Sequence, residues 1–313
     1  MRALVSWGWW AVAVASGQAL HFTPAGAIPG PADLIRVQGD RAYIVADKML
    51  AIFDVSNSAA PRRTGVYISP EKIWGIRPAG SLVYLAADLS GLVILDVSNP
   101  AEPKARGALK TRGQAKAVVV YQGKAVVADH MSGLDILDVS DPAKPVAMGS
   151  VFMDGYSRDV ALAGSFVYAV DSPTGFYVLD LAKPEDFAGS LQSANGQVVV
   201  APEGADSPKI ACVPGRAGLQ IFDVSNPAAP SLAATFRTPG TPTRAVIHGN
   251  LAYIADGREG LQVADLSTPA KPVAVGSFKT DGAARDVAVA GPLVFVVTGT
   301  GENAHVQILR TIP

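Results

Sequence analysis

The sequence predicts an all-β chain folded as a seven-bladed β-propeller, with four antiparallel strands in each blade. Three observations predict it. The phrase Asp-Val-Ser-Asn-Pro, or a close variant, recurs with its first residue at Asp54, Asp96, Asp138, Asp180, Asp223 and Asp265, at steps of 42 residues and once of 43. Between recurrences lie short apolar runs rich in Val, Ile and Tyr, each ended by Gly, Asn-Pro or Asp-Pro, which is the pattern of strands joined by tight turns. No part of the chain keeps a helical period. Four such runs in a unit of this length make the blade of a propeller.

Each unit reads the same way. A first run such as Asp286–Val289 ends at a glycine, here Gly291, and a second run follows, as in Leu251–Asp256. The third, Gly260–Asp265, leads into Ser267-Thr268-Pro269, and the fourth is Val273–Phe278. The units fall at about 32–70, 71–113, 114–155, 156–196, 197–240, 241–282 and 283–313. The seventh holds three runs, Val287–Val289, Leu293–Val297 and His305–Leu309, before Pro313. Its fourth strand is expected from residues 20–28, which stand where a preceding unit would place one. A last blade closed by the N-terminal strand removes the open edges of a linear array.

The shared residues read as structure. An Asp at a strand end and a Ser before Asn-Pro supply oxygens for unpaired turn N–H groups. A Ca²⁺ loop would need six to eight converging oxygens, and one Asp per turn supplies few. Gly39, Gly80, Gly123, Gly164, Gly249 and Gly291, between first and second strands, read as turn residues and not as a phosphate cradle.

The first nineteen residues differ from the rest. Met1-Arg2 precedes an uncharged stretch from Ala3 to Ala15 and the small residues Ser16, Gly17 and Ala19. That is the form of a secretory signal, too short for a membrane span. The stretch Ala11–Ala15 also resembles a propeller strand, but Trp7, Trp9 and Trp10 crowd it and no blade stands behind it. The expectation is a signal peptide over 1–19, a single propeller domain over 20–313, and a periplasmic or secreted product of the bacterial cell envelope without a membrane span.

Charge is nearly balanced, with 26 Lys and Arg against 27 Asp and Glu, and no basic block points to nucleic acid. The one cysteine, Cys212, excludes an intrachain disulfide and a thiolate metal cluster, and its apolar neighbours make it a buried strand residue before a nucleophile. His21, His130, His248 and His305 are scattered without metal-ligand spacing, so neither a metal nor another cofactor is expected.

The segments Gly91-Leu92-Val93-Ile94-Leu95-Asp96-Val97-Ser98-Asn99-Pro100 and Gly133-Leu134-Asp135-Ile136-Leu137-Asp138-Val139-Ser140-Asp141-Pro142 resemble the LVIVD-repeat family. The resemblance covers about residues 32–310. It implies a β-propeller of exported or surface-associated prokaryotic proteins, most of them without an assigned activity.

Function is sought where a blade departs from its own repeat, because shared residues maintain the blade. The loops leading into the first strands surround the channel mouth. Aligned on the glycines above, they place Asp33, Trp74, Lys116, Arg158, Asp159, Arg244, Arg285 and Asp286 around it. The binding candidates are Trp74, Lys116, Arg158, Arg244 and Arg285, with Arg forks for anionic groups and an indole for an apolar face. The opposing reading has the Arg–Asp pairs neutralise a narrow channel and serve structure alone. The fifth blade, near Gln197–Ala201, is too divergent to align. Asp129-His130 is an Asp–His pair, but adjacent residues in an extended loop point apart.

The chain carries no Gly-x-Ser-x-Gly elbow, no His-Glu-x-x-His and no glycine-rich loop opening a helix. The favoured function is therefore a binding or scaffold module that holds a protein, peptide or glycan partner at the channel face. The alternative is an enzyme, a lyase or hydrolase acting on an anionic glycan or small carboxylated substrate, with Asp159, Asp286 or His130 moving the proton. A purely structural surface-layer or assembly role is the third. The irregular loops Leu181–Asp186 and Ala201–Pro208 suit either a partner contact or drift.

Overall fold

A computed structural model of the chain describes residues 19–184, 187–191 and 210–312. The signal segment and Gln197–Ala201 therefore fall outside the described residues, apart from Ala19. The strands form seven separate sheets, and each sheet is one blade. Blades 1, 2, 3, 4 and 6 each hold four strands in chain order, and the described part of blade 5 holds three: Ile210–Gly215, Gly218–Asp223 and Ser231–Phe236. No helix among the described residues is long and apolar enough to cross a membrane.

Blade 7 pairs the strands Ala284–Ala290, Leu293–Thr298 and His305–Ile312, then takes its fourth from the other end of the chain. His21–Ile28 runs antiparallel to His305–Ile312, from His21 opposite Ile312 to Ile28 opposite Val306. The closure expected from residues 20–28 is thus the observed one. The first strands of blades 7 and 1 touch as those of other neighbours do, so the ring is closed.

Apolar packing lies between blades. Seven clusters of buried side chains each join one blade to the next, including the pair 7 and 1. The period-2 alternation of a strand explains how one run serves two clusters. In Arg41–Ala46, Tyr43 and Val45 pack towards blade 2, while Ala42 and Ile44 pack towards blade 7. Second and third strands are consequently apolar on both faces.

The repeated Asp-Val-Ser phrase closes its turn on itself. Asp96 Oδ1 accepts hydrogen bonds from Ser98 N at 2.9 Å and Ser98 Oγ at 2.6 Å, and the same geometry recurs at Asp54, Asp223 and Asp265. These bonds favour the ionised carboxylate and hold Asp54 down to about 2. The intervening Val97 is buried and donates its N–H to Ser81 O at 2.8 Å.

A second device joins blades at the face that carries the channel mouth. Asp256, at the end of a second strand, is buried and accepts from Thr238 Oγ1 at 2.6 Å and Gly240 N at 2.8 Å, where the chain enters blade 6. Asp129 does the same with Thr111 and Gly113. Burial pushes both carboxyls above their ordinary range.

Candidate functional site

The first strands surround a central cavity of about 140 Å³, lined among others by Arg36, Trp74, Arg77, Asp159, Arg244 and Asp286. Two of these strands carry a bulge at their mouth end. The register shifts between Ser157 and Asp159 in blade 4, and between Ala284 and Asp286 in blade 7. Each extra residue is an arginine, Arg158 or Arg285. A bulge re-aims the side chains that flank it. Asp159 and Asp286 are buried, while Arg158 is exposed and Arg285 half-buried at the mouth.

Inside the channel the carboxylates are taken up by cations and backbone. Asp286 Oδ2 accepts from Ile35 N and from Arg36 Nη1, each at 2.9 Å, and its Oδ1 accepts from Val287 N at 3.0 Å. Asp159 accepts from Arg244 Nη1 at 3.0 Å and from Val160 N at 2.9 Å. Arg244 also stands 4.0 Å from Asp286, so one guanidinium serves both acids. Burial pushes the Asp159 carboxyl above its ordinary range, and Arg244 and Arg36 oppose that push. Arg285 likewise turns to protein groups, Asp33 Oδ1 at 3.3 Å and the carbonyl of Ala32.

A different group of residues meets at the mouth over blades 2 to 4. The Trp74 indole is part-exposed, and its Nε1 donates to Asp88 Oδ2 at 2.9 Å, which fixes the ring. Lys72 Nζ lies 4.1 Å and Lys116 Nζ 4.2 Å from the indole centroid, within cation–π range. Lys116 reaches Asp88 at 3.9 Å and is mostly buried. Burial pushes its ammonium below the usual lysine range, and the charges of Lys72 and Arg158 push the same way against Asp88. Among the described residues, neither Lys72 nor Arg158 is ion-paired.

The loops bring apolar surface to this cation group. A bridge between Asp88 and Ala115 sets the Leu89 loop beside Lys116, and another between His130 and Ser157 sets the Met131 loop beside Arg158. Leu89 is 55% exposed, Met131 66%, Phe152 69% and Tyr156 41%, and on the same face Ile68 at the end of blade 1's outer strand is 63% exposed. The His130 ring packs on Tyr156 with centroids 4.8 Å apart. Burial and the nearby Lys116 and Arg158 hold the imidazole below its ordinary range. Asp129 faces Thr111 and Gly113 instead of His130, so the two form no proton relay.

The expected rim residues therefore separate into two groups. Asp159, Asp286 and Arg244 form an ion-paired plug, and Arg285 is held beside it. Trp74, Lys116, Arg158 and His130 gather at the mouth. Sequence reasoning missed Lys72, Asp88 and Phe152. The position of Lys72, two residues before the aberrant Trp74 in the same loop, was a usable signal.

The LVIVD repeat family model matches six segments, residues 29–68, 74–111, 112–152, 154–185, 209–238 and 239–280, which together span most of the chain. No curated protein matches the sequence as a relative. Among solved structures, the chain is similar to the β-propeller domain of Cps50 (Swd1) from Myceliophteria thermophila, with a TM-score of 0.76 and 12% identity over 93% of this chain and 99% of that one. At that identity the likeness speaks for the fold alone.

Proposed function

The chain belongs to the LVIVD-repeat family, and from that premise we propose that it is an exported, non-catalytic binding module that holds a partner protein at the channel mouth over blades 2 to 4. A β-propeller of this family is compatible with a binding or scaffold role. One observation carries the finer reading: over blades 2 to 4 the mouth face exposes Trp74, Leu89, Met131, Phe152 and Tyr156, beside the two lysines stacked on the Trp74 indole. Exposed apolar patches with polar rims mark interaction sites, and aromatic anchors beside basic groups are the composition of binding hot spots.

The carboxylates inside the channel support the non-catalytic part. A general acid or base must reach a substrate proton, and both Asp159 and Asp286 are engaged with arginines and backbone N–H groups. Export is supported by the signal-like residues 1–19.

A photo-crosslinking residue placed at Met131 in cells that make the protein tests the reading. The expected result is a discrete adduct in the extracytoplasmic fraction, on a chain whose first residue is Leu20. The same probe at Val273, an exposed outer-strand position, serves as control. Equal labelling at both positions, or an adduct confined to the cytoplasm, would overturn it.

A further inference from the structure

Building on the reading of the mouth as a docking face, we infer that the segment it recognises is an acidic peptide, with a carboxylate seated among Lys72, Lys116 and Arg158 and a neighbouring apolar side chain against Met131 and Phe152. Charge is the first ground. Lys72, Lys116 and Arg158 converge over blades 2 to 4, and among the described residues the acid within ion-pair reach of them is Asp88, 3.9 Å from Lys116, so positive charge is in excess. Lys72 and Lys116 both stack on the same indole, at 4.1 and 4.2 Å from its centroid, and the charge of Lys72 opposes that of Lys116, a repulsion that an anion between them would offset.

Desolvation is the second ground. The side chain of Lys116 is 14% exposed, so little water screens it, and an arriving carboxylate would interact in a medium well below the permittivity of bulk water. An arriving counter-ion favours the charged state of Lys116 and so offsets the weakening by burial.

The third ground is the surface beside the cations. Phe152 and Met131 are the most exposed of the apolar side chains here, and the Phe152 backbone lies 3.0 Å from where a Cβ on Gly133 would stand, so the two loops share one ledge. A free carboxylate or a simple anion would leave that ledge wet. A carboxylated glycan would set hydroxyls against it, which the ledge has few polar groups to satisfy. An extended peptide places an acidic and an apolar side chain on the same side two residues apart, and so fills both halves together.

The test selects binders from a random peptide display library on the immobilised full chain, then measures the selected peptides by fluorescence polarisation against three chains. These are the unaltered protein, the double variant Lys72→Gln/Arg158→Gln at one half-buried and one exposed position, and Phe152→Ser, each checked for an unchanged circular dichroism melt. Peptides enriched in Asp or Glu two residues from an apolar residue are expected. They should bind the Gln variant at least about tenfold more weakly, with an affinity that falls as salt rises.

Peptides without acidic bias that ignore the Gln variant but are lost with Phe152→Ser would overturn the acidic preference and leave the docking face standing. Peptides indifferent to both variants, or no enrichment over a bare matrix, would overturn the docking face as well. Oligogalacturonate bound in place of peptide, and lost with the Gln variant, would overturn the peptide in favour of a carboxylated glycan.

Discussion

Arg244 reaches from blade 6 across the channel to Asp159 of blade 4, which is not its neighbour, and towards Asp286 of the adjoining blade 7. Its replacement by Leu should therefore cost more than a lost surface contact. Removing one member of a buried ion pair leaves a charge without compensation and costs on the order of 3 kcal/mol. Asp159 already sits above its ordinary range through burial, and losing Arg244 raises it further. A raised folded-state carboxyl is a penalty at pH above that value and none at pH below the unfolded one, near 3.8. Urea unfolding of Arg244→Leu should show a deficit at pH 7 that shrinks as pH falls towards 4. A deficit independent of pH would mean that packing, not the carboxylate, is responsible.

The same scale shows what the sequence could disclose about the site. Alignment on the turn glycines placed Asp159, Arg244 and Asp286 at equivalent heights, because each stands the same number of residues before its turn glycine. It could not disclose the bulges at Arg158 and Arg285, which depend on the partner strand and decide which side chain enters the channel. Nor could it join Lys72 to Lys116, since these come from the entry loops of different blades and meet through the Trp74 ring.

At the scale of the element, the fourth strand is the one that each blade bends. Its pairing with the third slips by one residue in every described four-stranded blade from 1 to 4 and in blade 6, as between Ile94 and Leu95. Beside that slip stands a glycine, and in blades 1, 2 and 4 the reason is the next blade. A Cβ on Gly65 would overlap the carbonyl of Pro100, one on Gly107 that of Pro142, and one on Gly189 that of Pro227.

The proline-ended turn of one blade thus docks on the bent outer strand of its predecessor. Gly107→Ala forces backbone against backbone, and over-packing of this kind costs about 1–3 kcal/mol. Gly149→Ala has open space around it and is expected to leave the melting temperature nearly unchanged. Equal effects at the two positions would refute the docking account. The strands themselves were legible because their runs are apolar on both faces and end in turn residues, whereas this outer contact leaves a single glycine as its trace, at Gly65, Gly107 and Gly189.

At the scale of the molecule, seven equivalent clusters have no natural end, and the ring depends on the join in blade 7. There Phe22 and Ile28 are buried on opposite sides, Phe22 in the cluster shared with blade 6 and Ile28 in that shared with blade 1. Leu20 N donates to Val275 O at 2.7 Å, so the contact starts at the first residue beyond the proposed cleavage point. Deleting 20–28 removes two large buried side chains, each contributing about 2 kcal/mol, and bares the edge of His305–Ile312 to water and to other chains. The melting midpoint should fall by about 10 °C or more for a chain of this size, with faster aggregation. A synthetic peptide of residues 20–28 should raise the midpoint again in proportion to the logarithm of its concentration, as expected for a ligand that binds the folded ring alone. An unchanged midpoint on deletion, or a peptide without effect, would show that the ring closes without this strand.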